Sequence, residues 1–142
     1  YGMKIKSILE PLDLVIVRAE YGEGKRAGWL SSFTLACIDE DGSFLEIGKV
    51  STGLKEKEEQ GVSFIELTNL LKPLVLSESN KQVDVKPSII IEVGYEEIQK
   101  SSSYSSGFAL RFPRFLRLRE DKHLSEISSI DYIERLFRQQ NK

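Results

Sequence analysis

From Gly107 to Lys122 the sequence reads Gly-Phe-Ala-Leu-Arg-Phe-Pro-Arg-Phe-Leu-Arg-Leu-Arg-Glu-Asp-Lys. This stretch places five basic residues among three phenylalanines, and only Glu120 and Asp121 oppose the positive charge. Arginines interleaved with aromatic residues at strand spacing are typical of surfaces that bind a phosphate backbone and rest rings against bases or sugars. The stretch therefore predicts a strand that carries a binding site.

A proline interrupts this predicted strand, which runs from Leu110 to Arg119. Because Pro113 cannot donate to a β-ladder, it belongs at an edge or a bulge, where it would re-aim Phe112 and Arg111. After the proline the side chains alternate between two faces, with Leu116 and Leu118 on one and Phe115, Arg117 and Arg119 on the other.

The positive charge of this stretch is local, because the sequence as a whole is acidic. The 142 residues carry 20 basic and 22 acidic side chains, a net charge of −2. Residues 1–71 hold 8 basic and 12 acidic residues, and residues 72–142 hold 12 and 10. The concentration of cations near the C-terminal end indicates an anionic partner.

Composition excludes several classes of site. One histidine and one cysteine leave no zinc or iron–sulfur spacing and no Cys–His catalytic pair, so no metal site is predicted. Cys37 has apolar neighbours and is predicted to be buried. The longest run without a charge, Ala27–Ile38, is too short to span a bilayer, and no signal peptide opens the sequence. We therefore expect a cytoplasmic protein without membrane contact.

Three strands with tight connections are predicted before residue 51. Their β-branched and apolar runs give the ranges Leu12–Glu20, Trp29–Ile38 and Ser43–Val50. The glycine-rich Tyr21–Gly28 predicts a hairpin loop, and Gly42 can supply the positive φ of the second turn.

A helix, a polar loop and a fourth strand are predicted next. Apolar residues at helical spacing predict a helix in Lys55–Leu71, which Pro73 ends. Leu76–Asp84 is polar and predicts a loop, whereas the alternation from Pro87 to Tyr95 predicts a strand with one buried face. The serine-rich Lys100–Ser106 predicts a mobile loop.

A terminal helix is marked by Ile127, Ile130, Ile133 and Phe137, with Ser128 as its predicted N-cap and Asp131 as the capping-box partner. The resulting order, β-β-β-α-β-β, predicts a mainly β fold, a five-stranded OB-type Greek-key barrel with one inserted helix and a C-terminal helix. We expect a single domain over residues 1–142, with a lead-in at 1–11, the barrel at 12–122 and a helical tail at 123–142.

The same residues resemble a known family. Leu110–Lys122 resembles motif VI, the C-terminal signature of ATP-dependent DNA ligases of the archaeal and eukaryotic replicative type. Tyr21–Gly28 resembles the glycine and basic loop after that family's first OB strand. Lys49–Leu54 resembles its Lys-Val-Gly-Thr-Gly-Phe element, although Ser51 replaces the first glycine. Lys86–Val93 and Glu97–Ser101 resemble the stretch that precedes motif VI, so the resemblance covers nearly the whole chain.

By this resemblance the chain is the C-terminal OB domain of a larger ligase. The resemblance implies nicked double-stranded DNA as a partner, together with ATP and Mg²⁺ that are bound mainly by an upstream nucleotidyltransferase domain. A sliding clamp is a further expected partner, reached through other domains. The sequence contains no Lys-x-Asp-Gly, the family's nucleophilic motif, so we expect the chain alone to be inactive.

The resemblance also assigns roles to individual residues. Arg119 and Lys122 would hold the β- and γ-phosphates of ATP during enzyme adenylation, and Asp121 would orient these cations or assist metal placement. Arg117 is a further expected phosphate contact. On the DNA side, Phe112 would rest in the minor groove beside the nick. The other expected DNA contacts are Lys25, Arg26, Thr52, Arg111 and Arg114.

Other interpretations of these residues stay open. Arg119 to Lys122 also fits an exposed salt-bridge turn, Phe112 a core position, and Lys25 with Arg26 a solvated hairpin tip. Arg114 suits a phosphate contact or a strand-edge charge equally. For the whole chain, the alternatives are the OB domain of a capping enzyme or RNA ligase, a stand-alone OB module for single-stranded nucleic acid, and a docking domain that uses its terminal helix.

Overall fold

The computed structural model describes residues 10–22, 30–51 and 64–140, and these residues form nine strands and two α-helices. The strands are β1 (Leu12–Tyr21), β2 (Leu30–Ile38), β3 (Phe44–Val50), β4 (Val75–Ser79), β5 (Gln82–Val85), β6 (Ile90–Gly94), β7 (Glu97–Lys100), β8 (Phe108–Arg111) and β9 (Arg114–Leu118). The helices are α1 (Phe64–Leu71) and α2 (Ile130–Gln140). The predicted mainly β class is confirmed.

Strand β1 is the centre of the larger, seven-stranded sheet. One edge of β1 pairs with β2, which in turn pairs with β3. The other edge pairs with β6 along its first half and with β5 along its second half. β9 continues the sheet beyond β6, and β4 continues it beyond β5. Among the described strands, these hydrogen bonds do not close the sheet into a barrel.

The hairpin of β7 and β8 forms a separate two-stranded sheet that packs against β3. Ser106 N donates to Glu46 O at 3.1 Å, and Glu46 N donates to Ser105 Oγ at 2.8 Å. These bonds hold the hairpin loop on the edge of β3. The residues that follow β8 are thereby placed close to the end of β3.

One large core contains side chains from the seven-stranded sheet, from the β7–β8 hairpin and from both helices. Phe33, Leu14 and Ile91 are fully buried there, and Phe115 and Ile133 join them from β9 and α2. Cys37 is also fully buried, as predicted, and burial raises the pKa of its thiol to about 12. A smaller cluster lies on the opposite face of the sheet and consists of Val15, Ala36, Ile90 and Ile127.

The predicted loop over Leu76–Asp84 is wrong, because β4 and β5 form a hairpin there with Asn80 at φ 56° in its turn. β4 is an edge strand, and its residues from Leu76 to Ser79 are all exposed. An edge strand that is exposed over most of its length shows no apolar alternation. Val83 and Val85 of β5 are buried in the core, and Val75 at the start of β4 is partly buried against it.

Several other predicted elements need correction. The single strand predicted over Leu110–Arg119 is two strands, β8 and β9, which the residues Phe112 and Pro113 separate. The predicted order also omitted the short strand β7. These differences, with the β4–β5 hairpin, explain why the described strands outnumber the five predicted.

The N-cap of α2 is Ser129, whose Oγ accepts a hydrogen bond from Tyr132 N at 3.1 Å, and the predicted Ser128–Asp131 capping box is wrong. Ser128 bonds to β1 instead. The predicted limits of the first three strands agree with β1, β2 and β3 to within one residue, and α1 ends before Pro73 as predicted. No helix among the described residues is long and apolar enough to cross a bilayer.

Candidate functional site

The turn between β8 and β9 displays an aromatic ring. Phe112 has φ 50°, a left-handed conformation that costs a non-glycine residue about 1 kcal/mol. Pro113 follows this residue and has no N–H to donate, so the β-ladder is interrupted here. The Phe112 side chain is 68% exposed, which excludes the alternative core position.

Two arginines flank this ring and differ in their partners. The guanidinium carbon of Arg111 lies 5.1 Å from the Phe112 ring centroid, and its Nη1 lies 3.0 Å from Glu97 Oε1. Arg114 is exposed, and no described carboxylate lies within ion-pairing distance of it. The next residue, Phe115, is buried and anchors the turn to the core. The Phe112 ring and Arg114 are therefore exposed to solvent on a turn that Phe115 fixes to the core.

A cavity of about 580 Å³ opens beside this turn. Its described lining residues come from the end of β3, from the β6–β7 connection, from the β8–β9 turn and from the start of β9. They are Lys49, Ser51, Glu96, Phe112, Pro113 and Arg114.

At the other end of β9, two cations converge on one carboxylate. Arg119 Nη1 lies 3.3 Å from Asp13 Oδ1, and Lys122 Nζ lies 3.7 Å from Asp13 Oδ2. Arg119 also donates from Nε and Nη2 to the two oxygens of Asp121, both at 3.3 Å. The Arg119 side chain is only 14% exposed, so the alternative of a fully exposed salt-bridge turn does not describe it.

The pairing of strands explains this convergence. Asp13 of β1 lies directly opposite Glu92 of β6, and Glu92 lies directly opposite Arg117 of β9. Two carboxylates in facing positions repel each other unless a cation neutralises them. Arg119 Nη1 is 3.7 Å from Glu92 Oε2 as well as being bonded to Asp13, and Arg117 Nε is 2.9 Å from Glu92 Oε1. We call the six residues Asp13, Glu92, Arg117, Arg119, Asp121 and Lys122 the ion-pair network.

The segment before α2 fixes Asp13 within this network. Asp13 N donates to Ser128 Oγ at 3.1 Å, and Ser128 N donates to Asp13 O at 2.8 Å. These two bonds fix the backbone of β1 at Asp13, the residue whose side chain pairs with Arg119 and Lys122.

The charges of the network support one another. The hydrogen bond to Asp121 and the nearby Asp13 raise the pKa of Arg119, and the Arg119 guanidinium holds the pKa of Asp121 below its usual range. Both groups therefore stay charged at neutral pH.

The carboxylates of the network do not suit a metal ion. Each of them is already paired with an arginine, and no group of three His, Cys, Asp or Glu residues in the described ranges is arranged to hold one. Of the two roles expected for Asp121, the geometry favours orientation of Arg119 over metal placement.

The structure thus divides the expected site residues into two groups. Arg117, Arg119, Asp121 and Lys122 meet in the ion-pair network, and Arg111, Phe112 and Arg114 meet at the turn. The three remaining expected contacts lie outside the described residues, and they are Lys25, Arg26 and Thr52.

Sequence reasoning missed Asp13 and Glu92. Each is a single acidic residue within an apolar strand, Leu-Asp-Leu-Val and Ile-Ile-Glu-Val. A lone charge in a strand that is otherwise buried is a signal for a cation partner.

Comparison with known proteins agrees with this geometry. Residues 26–122 match the family described as ATP dependent DNA ligase C terminal region. The chain belongs to this family. The family resemblance of the sequence is therefore confirmed.

Curated relatives extend the match over almost the whole chain. A DNA ligase of Nanoarchaeum equitans is 55% identical over 99% of this chain and 25% of its own length. A DNA ligase of Archaeoglobus fulgidus is 49% identical over 97% of this chain and 24% of its own length. The chain thus spans about a quarter of the length of these curated relatives.

Solved structures support the family's fold for this chain. The ligase domain of LigD from M. tuberculosis aligns with a TM-score of 0.65 and 28% identity, covering 82% of this chain and 37% of that one. A mycobacterial DNA ligase D complexed with ATP and MES aligns with a TM-score of 0.61 at 28% identity, covering 84% and 37%. The predicted OB type is consistent with these ligase domains, although the described sheet is open.

Proposed function

We propose that this chain serves ATP-dependent sealing of nicked DNA in two ways, with one end of β9 acting on ATP and the other on the duplex. One observation carries the proposal. A single segment, from Arg111 to Lys122, ends in converging cations on one side and begins with an exposed ring on the other.

In enzyme adenylation, Arg119 and Lys122 would bind the β- and γ-phosphates of ATP. A triphosphate presents several negative oxygens and can replace Asp13 as the acceptor of both cations. Charge that develops on the departing pyrophosphate is then neutralised by groups already held close together. Asp121 keeps two Arg119 nitrogens engaged and so orients the guanidinium, and Arg117 adds a third cation nearby.

In the DNA-dependent steps, Phe112 would enter the minor groove next to the nick. An apolar ring that enters the groove partly unstacks a base step, and a rigid, preformed display of the ring lowers the cost of doing so. The Arg111 guanidinium beside the ring faces the same groove, and the exposed Arg114 contacts a backbone phosphate. Lys25, Arg26 and Thr52 remain proposed DNA contacts on the basis of the family resemblance alone.

Mg²⁺ would supply further neutralisation of the phosphates. The described carboxylates do not fit a metal site, so we assign the Mg²⁺ ligands to the nucleotidyltransferase domain. That domain is a proposed partner of this chain, in addition to nicked DNA. A sliding clamp would be contacted through domains other than this one.

The experiment is to combine this chain with the nucleotidyltransferase domain of an archaeal relative and supply ATP labelled at the α-phosphate. Covalent AMP should appear on the added domain, faster with this chain than without it, and never on this chain, which has no Lys-x-Asp-Gly. Arg119→Ala should reduce this stimulation. Arg138→Ala is its control, because it removes an exposed arginine of α2 and should leave the stimulation unchanged. If this chain leaves the rate of labelling unchanged, or becomes labelled itself, the proposed function is wrong.

A further inference from the structure

We propose that the cavity beside Phe112 is a subsite for a backbone phosphate of duplex DNA, with Lys49 and Arg114 as its cationic contacts. The inference rests on the proposed function, and it adds Lys49 of β3 to the DNA-binding face. Lys49 is far from Arg114 in sequence, so only the packing of the hairpin on β3 brings the two residues to one cavity.

The size of the cavity suits such a ligand. Its volume of about 580 Å³ falls within the range of about 300–1,000 Å³ that is typical of ligand sites. The lining includes the Ser51 residue, which can add a hydroxyl or backbone donor to a phosphate oxygen.

The charges of the lining favour an anion. Arg114 has no ion pair with a described residue, and its exposed guanidinium is available to a ligand. Lys49 Nζ lies 2.8 Å from Glu20 Oε1, but the Lys49 side chain is 50% exposed, and ion pairs at such positions contribute little. A phosphate can therefore replace Glu20 at small cost. Among the described lining residues Glu96 is the acidic one, so two cations face one carboxylate there.

The position of the cavity matches the proposed position of the duplex. Phe112 and Pro113 form one wall, so the cavity adjoins the ring that would enter the minor groove. That groove is about 6 Å wide in B-form DNA, and its edges are the two sugar-phosphate backbones. A ring inside the groove consequently places a backbone beside the cavity that contains Lys49 and Arg114.

The test is the salt dependence of binding to a fluorescein-labelled nicked duplex, measured by fluorescence anisotropy between 50 and 200 mM KCl with this chain alone. Each neutralised phosphate contributes about 0.9 to the slope of log K against log salt concentration. Lys49→Ala and Arg114→Ala should each lower the slope by about 0.9, and the double variant by about 1.8. Over this fourfold change in salt, each single variant should lose about 3.5-fold less affinity than the wild type loses.

Two variants control for effects on structure. Lys49→Arg retains the charge and should retain the slope. Lys86→Ala removes an exposed lysine that belongs neither to the described lining of this cavity nor to the ion-pair network, so it should also leave the slope unchanged. Thermal unfolding verifies that each variant is folded, and Lys49→Gln replaces Lys49→Ala if the latter melts below the assay temperature. Salt-dependent binding by the wild type with an unchanged slope for the Lys49 variant overturns the subsite and leaves the proposed function intact. An unchanged slope for the Arg114 variant overturns the subsite together with the phosphate contact proposed for Arg114 above. Absence of salt-dependent binding by the wild type overturns both the subsite and the DNA-binding half of the proposed function.

Discussion

The two ends of β9 hold their functional groups in opposite ways. At the Arg119 end, three cations are paired with three carboxylates, and the Arg119 side chain is largely covered. At the Phe112 end, a strained residue displays its ring to solvent beside an arginine without a described ion pair. The cations must exchange partners before they bind phosphate, whereas the ring needs no rearrangement. We therefore expect nucleotide binding to depend on ion-pair exchange and DNA binding to depend on preformed shape.

The largest expected effect comes from removing the anchor that both ends share. Phe115→Ala empties a buried position in β9 and should lower the free energy of unfolding by about 3–5 kcal/mol. Leu116→Ala is the matched control because this neighbouring side chain is 41% exposed, and its cost should stay below about 1 kcal/mol. Chemical denaturation of both variants measures the difference. Equal losses would show that β9 is not anchored through Phe115.

A smaller loss should follow when the network loses its central carboxylate. Asp13→Asn leaves Arg119 and Lys122 with weaker partners and should cost about 1–2 kcal/mol of unfolding free energy. Glu134→Gln is the control, since the ion pair of Glu134 with Arg138 is exposed and such pairs contribute little. Denaturation at neutral pH should thus show a loss for the first variant and none for the second. The same stability for both would contradict a structural role for the network.

The strain at the turn predicts a difference between two substitutions of one residue. Phe112→Ala keeps a side chain at φ 50°, whereas Phe112→Gly removes the steric cost, so the glycine variant should be more stable than the alanine variant by about 1 kcal/mol. Both variants lack the ring and should lose affinity for nicked DNA to a similar extent. Thermal unfolding and anisotropy titrations provide the two readouts. If the alanine variant is the more stable, the turn is not strained in solution.

The smallest expected effect is a pH dependence from Asp121. Arg119 lowers the pKa of this carboxyl below its ordinary value of about 3.9, so the pair stabilises the folded state above about pH 4 and the contribution is lost as pH falls through the lowered pKa. The difference in melting temperature between wild type and Asp121→Asn should consequently shrink from pH 5 to pH 2. Glu120→Gln serves as the control, because Glu120 makes no ion pair with a described residue. A difference that stays constant with pH would contradict the pairing.

Local patterns predicted much of the fold, and the failures have identifiable causes. β1, β2 and β3 each bury an apolar face in the core, so their apolar residues predicted where each strand begins and ends. Pro113 indicated an irregularity, because proline has no N–H to donate to a ladder, but the pattern did not show that the strand divides in two. The exposed β4 lacks a buried face, so its sequence resembles that of a loop.

The chemistry of the site was only half predictable. The cations of the ion-pair network lie together in sequence, but Asp13 and Glu92 meet them only through strand pairing across the sheet. Lys49 likewise reaches the turn only because the β7–β8 hairpin packs on β3. Spacing along one chain carries no information on such partners. The positive φ of Phe112, which lies between strands of two different sheets, was equally hidden.

The most direct test of the two-ended account separates the steps of ligation in an enzyme assembled from this chain and a nucleotidyltransferase domain. Arg119→Ala should slow enzyme adenylation by about 10²-fold and leave the sealing of a pre-adenylated nick nearly unchanged. Phe112→Ala should slow that sealing step and leave adenylation nearly unchanged. Equal loss of both steps in either variant would contradict the division of labour between the two ends of β9.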